Sequence, residues 1–173
     1  MDLLSRIRNV PDFPKPGIQF KDITTLLKDR KAFGATIDGM IDRYGNAGIT
    51  KVVGVESRGF IFGSALAYAL GLGFVPIRKA GKLPAATLKE SYELEYGAAE
   101  IEIHTDAIEG RDKVLIVDDL LATGGTLEAS ARLIERAGGT VHEIWVLMEL
   151  GFLPGREKLK NYAIHSEIVI PGE

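Results

Sequence analysis

The stretch from Val114 to Thr126 reads VLIVDDLLATGGT, and it decides how the rest of the chain is interpreted. It opens with four apolar, mostly β-branched residues, Val114–Val117, which favour a strand buried on both faces of a parallel sheet. Two aspartates and a loop of small residues follow, and from Leu127 onward apolar residues recur at helical spacing. This order of strand, acids, glycine loop and helix predicts an anion site at the helix N-terminus.

The two aspartates indicate what kind of anion the site accepts. Carboxylates would repel a phosphate unless they serve another part of the ligand, and they readily accept hydrogen bonds from vicinal sugar hydroxyls. The residues therefore predict a site for a ribose 5-phosphate. The ribose hydroxyls would bind Asp118 and Asp119, and the phosphate would bind the loop Ala122, Thr123, Gly124, Gly125 and Thr126.

Other phosphate motifs match this stretch poorly. A Walker loop needs a Lys-Ser or Lys-Thr pair after the glycines, and a dinucleotide site needs GxGxxG; both are absent here. The plain alternative is an ordinary strand–turn–helix with surface aspartates.

Composition narrows the class of protein. The 173 residues carry 21 Lys plus Arg against 24 Asp plus Glu, a net charge of −3 that gives no support to nucleic-acid or membrane-surface binding. There is no cysteine, and the three histidines lack metal-ligand spacing, so no disulfide and no protein metal site are predicted. Because no apolar run approaches the roughly 20 residues of a membrane span, and the N-terminus lacks a secretion signal, we expect a soluble, cytoplasmic protein.

Strand and helix patterns alternate along the chain. The strand-like segments are 51–55, 73–77, 114–117, 140–148 and 162–170, and helical patterns cover 29–44, 60–70 and 127–137. This alternation predicts an α/β fold with a mainly parallel sheet flanked by helices.

The remaining segments break the alternation. Residues 2–9 are predicted to form a short amphipathic helix, and the proline-rich segment 11–17 to be irregular. Residues 81–91 are predicted to be a loop, and 92–96 with 99–104 an antiparallel flap. The segment 155–158 is predicted to be a charged loop on the far side of the protein from the site.

Polar residues follow two further strands at their carboxyl ends, where ligands bind in open α/β sheets. Glu56, Ser57 and Arg58 come directly after the strand 51–55. Three cations follow the strand 73–77, and such a group is suited to clamp a polyphosphate: Arg78, Lys79 and Lys82.

VLIVDDLLATGGT resembles the phosphoribosyl-pyrophosphate-binding motif of the type I phosphoribosyltransferases. The stretches PDFPKPGIQFKDIT, ESRGFIFG, IRKAGKLP, SYELEYG and GREKL resemble the family in the same order, so the likeness covers nearly the whole chain. It implies the type I phosphoribosyltransferase fold as a single domain over 1–173, with an N-terminal hood at about 1–28 and a flexible β-flap at about 80–104.

The resemblance also implies a reaction. This is transfer of 5-phosphoribosyl from 5-phospho-α-D-ribose 1-diphosphate (phosphoribosyl pyrophosphate) to adenine, giving AMP and diphosphate. Magnesium would bind together with phosphoribosyl pyrophosphate rather than in a protein cage. A homodimer is a further implication.

Several residue roles rest on the resemblance alone. A cis peptide bond would join Glu56 and Ser57 in a loop that contacts diphosphate. Arg58 would take part in this contact. The family usually has Asp at the position of Glu56. Phe20 would lie near the base, with backbone groups of Gln19 to Lys21 reading its edge. The flap would close over the site with Glu95 and Tyr96. Glu95 is the candidate for proton exchange with the purine, and a solvent-facing glutamate is the alternative.

Two other functions stay open at this point: a 6-oxopurine phosphoribosyltransferase of the same fold, and a non-catalytic regulator that senses phosphoribosyl pyrophosphate. The intact lid and the lack of an added DNA-binding segment weigh against the regulator. The stretches GIQFKDI and LEYG favour adenine by family likeness, while physical reasoning alone does not separate adenine from hypoxanthine.

Overall fold

A computed structural model describes residues 1–94 and 96–172. These residues fall into two compact units, Met1–Gly45 and a second unit that begins at Asn46. The single domain with a hood over residues 1–28 stays a prediction.

The first unit contains a short hairpin and two helices. A 3₁₀ turn at Leu4–Arg6 precedes strands β1 (Arg8–Pro11) and β2 (Gln19–Asp22), which are followed by helices α1 (Thr24–Lys28) and α2 (Arg30–Tyr44). The Asp29 side chain accepts hydrogen bonds from the backbone N–H groups of Lys31 and Ala32, and so caps α2. The helix predicted over 29–44 is confirmed.

The amphipathic helix predicted for residues 2–9 is wrong. Only the single 3₁₀ turn forms, and Arg8 to Pro11 instead pair antiparallel with Gln19 to Asp22. An isolated helix of two turns is marginal in water, because few hydrogen bonds offset its nucleation. The hairpin instead gains backbone ladder bonds and an ion pair, in which Arg8 binds Asp22 at 2.5 Å.

The second unit is built on a seven-stranded sheet. The strands are β3 (Lys51–Val55), β4 (Gly73–Lys79), β5 (Thr87–Glu93), β6 (Ala98–His104), β7 (Lys113–Leu121), β8 (Thr140–Leu150) and β9 (Ile164–Ile170), and the helices are α3 (Gly59–Leu70), α4 (Gly125–Arg136) and α5 (Gly155–Lys158). Its order is β5–β6–β4–β3–β7–β8–β9, and β4, β3, β7, β8 and β9 run parallel while β5 and β6 pair antiparallel. The predicted α/β class with a mainly parallel sheet is confirmed. None of the helices in the described residues combines the length and apolarity of a membrane span.

The core of this unit lies between the sheet and its helices. Val53, Ile116 and Val146 of three adjacent parallel strands are fully buried, as expected for strands covered on both faces. Trp145 is fully buried, with its ring centroid 5.6 Å from that of Phe62, so its predicted place in the core is confirmed.

Three segments of the second unit differ from the prediction by more than two residues or in their type of structure. Strand β7 continues past Val117 to Leu121, because its parallel pairing with β8 continues that far, so the two aspartates lie within the strand. The loop predicted for 81–91 ends early, since Thr87 already pairs with His104 of β6. The segment 155–158 is a short helix, α5, instead of a loop on the far side. Non-local strand partners decide the first two, whereas α5 forms local hydrogen bonds, from the N–H of Lys158 to the carbonyl of Pro154 and from the N–H of Leu159 to that of Gly155.

Candidate active site

A cleft of about 390 Å³ opens at the carboxyl ends of β3, β4 and β7. It brings together residues that the sequence singled out in three separate segments. The predicted site residues that line it are Glu56, Ser57, Arg58, Arg78, Lys79, Asp118, Asp119, Ala122, Thr123, Gly124, Gly125 and Thr126.

The two aspartates have different surroundings. Asp119 is buried, and its Oδ2 accepts a hydrogen bond from Nε of Arg58 at 2.5 Å. The Oδ1 atom of Asp118 accepts a hydrogen bond from the backbone N–H of Asp119 at 2.8 Å. Burial raises the pKa of the Asp118 carboxyl well above its ordinary value, and the negative charge of Asp119 adds to this rise. The cleft therefore contains a carboxyl whose ionisation is disfavoured.

Gly59, the first residue of α3, allows this helix to approach the end of β7. A Cβ atom placed on Gly59 would lie 2.5 Å from the carbonyl oxygen of Val117 and 3.1 Å from Cα of Asp118. Any larger residue would push α3 away or displace Asp118. The glycine therefore sets the distance between the loop that contains Arg58 and the aspartates.

The small-residue loop after β7 leads directly into α4. Gly124 has a φ of 86°, a left-handed conformation that glycine adopts at little cost, and α4 begins at the next residue. The N–H groups of a first helical turn have no partner within the helix, and the helix dipole places partial positive charge there. Thr123 is exposed and Thr126 is half-buried beside this turn. The predicted anion site at a helix N-terminus thus has the required backbone geometry.

Glu56 contacts three cationic residues at and just after the end of β4. Its carboxylate accepts hydrogen bonds from Nζ of Lys82 at 2.6 Å, from the backbone N–H of Lys79 at 2.9 Å and from Arg78 at 3.3 Å. Burial alone would raise the pKa of Glu56, but the hydrogen bonds from Lys82, Lys79 and Arg78 outweigh it and lower this pKa to about 2. Glu56 therefore orders the cationic groups, an arrangement that sequence reasoning did not predict.

The peptide bond between Glu56 and Ser57 is cis. This confirms the geometry that the resemblance predicted for the loop after β3. Lys82 does not line the cleft, but it forms an ion pair with Glu56, which does.

The flap packs along α4. A Cβ atom on Gly125 would lie 3.2 Å from the ring of Tyr92 in β5, so this ring lies over the start of the helix. Further along, Glu90 binds Arg136 at 2.9 Å and Arg132 at 3.4 Å. The predicted antiparallel pairing within the flap is confirmed.

The sequence compares closely with known proteins. The family model of the phosphoribosyl transferase domain matches residues 24–166. This chain belongs to the phosphoribosyltransferase family. The adenine phosphoribosyltransferase of Streptomyces coelicolor is 60% identical over 158 residues, which cover 91% of this chain and 87% of that protein.

Solved structures agree with this assignment. The adenine phosphoribosyltransferase of Thermoanaerobacter pseudethanolicus has a TM-score of 0.93 and 54% identity, covering 98% of each chain. The yeast enzyme, solved with an imino-altritol bisphosphate and adenine, has a TM-score of 0.90 and 41% identity, covering 95% of this chain and 96% of that one. The predicted family and its type I fold are confirmed.

Besides Lys82, four predicted site residues of this phosphoribosyltransferase are not among the residues that line the cleft, and a fifth lies outside the described residues. Tyr96 is exposed beside the flap turn, and Glu95 lies outside the described residues. Gln19, Phe20 and Lys21 form most of β2 in the first unit. There the side chains of Gln19 and Lys21 both bond to Asn9 of β1, and Phe20 packs edge-on against Phe13. The roles of all five stay predictions.

Sequence reasoning missed other residues at the cleft of this phosphoribosyltransferase. Tyr92 lines the cleft, and Gly59 shapes it, yet neither was singled out. A glycine at the first position of a helix, directly after a polar loop, is a signal of close approach that could have identified Gly59. Tyr92 had no comparable signal, because its place over Gly125 depends on how the flap docks.

Proposed function

We propose that this protein transfers 5-phosphoribosyl from 5-phospho-α-D-ribose 1-diphosphate to adenine, giving AMP and diphosphate, a purine-salvage reaction. The observation that carries the proposal is the cleft, which places two aspartates between a helix N-terminus and a cationic loop. The relatives at 60% and 54% identity are adenine phosphoribosyltransferases, and the yeast relative was solved with adenine. The enzyme is accordingly a pentosyltransferase.

Each part of the ribose substrate has a matching part of the cleft in this proposal. The loop from Ala122 to Thr126 binds the 5-phosphate through backbone N–H groups and hydroxyls. Asp118 and Asp119 accept hydrogen bonds from the ribose hydroxyls. Arg58, Arg78, Lys79 and Lys82 bind the diphosphate, and Glu56 keeps the last three in place.

The chemical step breaks the bond between C1 of the ribose and the diphosphate oxygen, and the diphosphate leaves with the electron pair. N9 of adenine donates its lone pair to C1 and loses its proton. Positive charge develops on the sugar as the bond breaks, and the two aspartates stabilise it electrostatically. The cations stabilise the charge that accumulates on the leaving diphosphate.

The base is bound by β2 and covered by the flap in this proposal. Backbone groups of Gln19 to Lys21 read the purine edge, and Phe20 lies near its ring. Tyr96 and Glu95 close over the site and exclude water, which would otherwise capture the sugar. Glu95 is the proposed group for proton exchange with the purine.

We propose that Mg²⁺ binds together with phosphoribosyl pyrophosphate. The described residues contain no group of three or more His, Cys, Asp or Glu side chains suited to hold a metal. The paired carboxylates of Asp118 and Asp119 suit a hard cation that keeps most of its ligands from diphosphate, ribose and water. When bound, Mg²⁺ neutralises part of the diphosphate charge.

We also propose a homodimer. The support is an unusually apolar helix, α3, on which Ile61 is 38% and Tyr68 is 90% exposed. Sedimentation of the purified protein tests this: a dimer that Tyr68→Ser converts to monomer supports it, and a monomeric wild type overturns it.

A cytoplasmic location belongs to the same proposal. The reaction consumes a highly charged diphosphate ester, and such an ion crosses a lipid bilayer only at a large free-energy cost. Cell fractionation that recovers the activity with the cytoplasmic contents is the expected result, and recovery in another fraction would contradict it.

A competition assay tests the function. Purified protein is incubated with phosphoribosyl pyrophosphate, Mg²⁺, and adenine, hypoxanthine or guanine in separate reactions. We expect AMP from adenine alone. Nucleotide from a 6-oxopurine instead would overturn the base assignment and keep the transferase. Binding of phosphoribosyl pyrophosphate without any product would favour a non-catalytic sensor.

A further inference from the structure

An ion-pair cluster built on the buried carboxylate of Glu149, near the end of β8, lies outside the cleft lining. Its other members are Arg156, whose side chain is 52% exposed, and the half-buried Ser166 of β9. Nε of Arg156 binds Oε1 of Glu149 at 2.8 Å, and Nη2 binds Oε2 at 2.5 Å, so the guanidinium and carboxylate form a two-point contact. Ser166 completes the cluster by donating its hydroxyl to Oε2 of Glu149 at 2.5 Å and accepting from Nη2 of Arg156 at 3.1 Å. The Glu149 side chain is only 6% exposed.

The cluster fixes α5, the short helix that contains Arg156. Glu149 pairs with Leu121, the last residue of β7, so the carboxylate is anchored beside the strand that leads into the phosphate loop. Ser166 lies in β9, which pairs with β8 on the other side. Arg156 therefore joins α5 to two strands of the sheet.

Helix α5 in turn lies directly against the phosphate loop. A Cβ atom on Gly124 would be 3.0 Å from the carbonyl oxygen of Gly155 and 3.2 Å from its Cα. A Cβ atom on Gly155 would overlap the carbonyl oxygen of Ala122 and lie 2.7 Å from the Leu121 side chain. Two backbone segments thus touch without an intervening side chain.

The phosphate loop needs such external support. Gly124 has a left-handed φ of 86°, and no side chain caps the N-terminus of α4. A glycine-rich loop has many accessible conformations, and only the one with converging N–H groups binds a phosphate well. Contact with Gly155 restricts the loop on one side.

We propose that Arg156 is a positioning residue for the 5-phosphate of the substrate. Held by Glu149 and Ser166, it keeps Gly155 against Gly124 and so keeps the phosphate loop in its binding conformation. The proposal rests on the proposed function, since it concerns the phosphoribosyl half of that site.

The two-point contact explains why arginine serves here. A guanidinium presents two parallel N–H groups to a carboxylate and so fixes the direction of the side chain as well as its distance. A lysine would keep the charge beside the buried carboxylate but would contact it with a single ammonium group. Arg156→Lys therefore keeps the charge of the cluster and changes only the contact that orients α5.

The experiment measures KM for phosphoribosyl pyrophosphate and for adenine separately, together with calorimetric binding of ribose 5-phosphate. For Arg156→Lys we expect KM for phosphoribosyl pyrophosphate and Kd for ribose 5-phosphate to rise about tenfold, as a slight misplacement of a binding group would cause. KM for adenine should stay within about twofold, because the base does not contact this loop in the proposed function.

Lys160→Gln is the matched control. It removes an exposed ion pair with Glu157 just after α5, at 3.3 Å, and leaves the cluster intact. Wild-type values are expected for it. Ser166→Ala is the second variant, which removes one hydroxyl from the cluster and should raise KM for phosphoribosyl pyrophosphate in the same direction by a smaller factor.

The outcomes separate the inference from the proposed function. Unchanged KM and Kd values in Arg156→Lys, or an equal rise for both substrates, overturn the positioning role. If Arg156→Lys does not fold, Ser166→Ala decides by the same criterion. A wild type that makes no AMP contradicts the proposed function, while the binding of ribose 5-phosphate to wild type and variants still tests the role of Arg156.

Discussion

Arg58, just before α3, binds Asp119, near the end of β7, with Nε 2.5 Å from Oδ2. The Asp119 side chain is 8% exposed and that of Arg58 is 48% exposed, so the carboxylate is enclosed while the cation still faces the cleft. Asp118, the neighbour in the chain, lies in a different environment, where burial raises the pKa of its carboxyl. The two adjacent aspartates thus differ in their partners and in their surroundings.

Asp118→Asn should lower turnover strongly and raise stability at neutral pH. The carboxyl faces the proposed ribose site, and loss of such an electrostatic group costs on the order of a hundredfold in turnover. Because the folded-state pKa lies above the ordinary value of 3.8, ionisation favours the unfolded state, and stability falls as pH rises from that value through the folded-state pKa. Asparagine has no carboxyl to ionise, so this pH-dependent loss of stability should be absent from the variant. Turnover and denaturant unfolding between pH 4 and 8 measure both effects.

The exposed Asp106, changed to Asn, is the control for this variant. It should leave both turnover and the pH profile of stability as in the wild type. Full activity of Asp118→Asn would contradict the role assigned to this residue.

Gly59→Ala should destabilise the fold and reduce activity together. Its Cβ would lie 2.5 Å from the carbonyl oxygen of Val117 and 3.2 Å from Oδ1 of Asp118, so α3 or the aspartate must shift. Overpacking of this kind costs about 1–3 kcal/mol. Chemical denaturation measures the loss.

Gly39→Ala is the matched control, since Gly39 is exposed within α2 and a Cβ there meets nothing within 4 Å. The control should be neutral or gain up to about 1 kcal/mol. Equal stability of Gly59→Ala and wild type would show that the close approach is unimportant.

Glu56→Gln should remove part of the acid sensitivity of the protein. The pKa of Glu56 falls from 4.5 to about 2 in the folded state, so its ionised form stabilises the fold above pH 4.5. This contribution is lost as pH falls from 4.5 toward 2, where the carboxylate becomes protonated. Acid unfolding followed by circular dichroism should show a shallower decline over this window in the variant.

The control for that experiment is Glu157→Gln, whose side chain is 78% exposed. It should follow the wild-type acid curve. A Glu56→Gln curve that coincides with the wild type would mean that the cations around Glu56 do not hold it ionised.

Glu90→Gln should loosen the flap. Glu90 on β5 binds Arg132 and Arg136, which lie four residues apart on one face of α4. Each such half-exposed ion pair contributes up to about 1 kcal/mol, so the amides of Thr87–Glu93 should exchange several-fold faster in the variant. Hydrogen exchange with mass spectrometry measures this.

Glu93→Gln, an exposed position on the same strand, is the control. Identical exchange in Glu90→Gln and wild type would show that the ion pairs do not retain the flap.

Local patterns predicted much of this structure. Continuous apolar runs predicted the parallel strands β3 and β7, and the residues after them predicted that Arg58, Asp118 and the loop around Gly124 would meet at one edge of the sheet. These predictions hold because side-chain period and strand direction are local properties, and parallel strands present their carboxyl ends together.

Other features depend on partners that are remote in the chain. Residues 8–11 form a strand because residues 19–22 pair with them, although residues 8 and 9 belong to the predicted helix and residue 11 to the segment predicted to be irregular. Glu56, predicted to contact diphosphate, is bound by Arg78 and Lys82, which are 22 and 26 residues away. No periodicity within the segment 51–58 contains that information.

The sequence by itself determined the fold class and the order of strand, acids and glycine loop, and it predicted a ribose-phosphate site, because short segments with strong patterns specify these features. Only the tertiary structure decided that Gly59 approaches Asp118, that Tyr92 covers Gly125, and that Arg156 secures Gly155 against Gly124. Close packing is the physical reason: a contact between two backbones depends on every element that holds them in place, and a linear pattern records only one of the two partners.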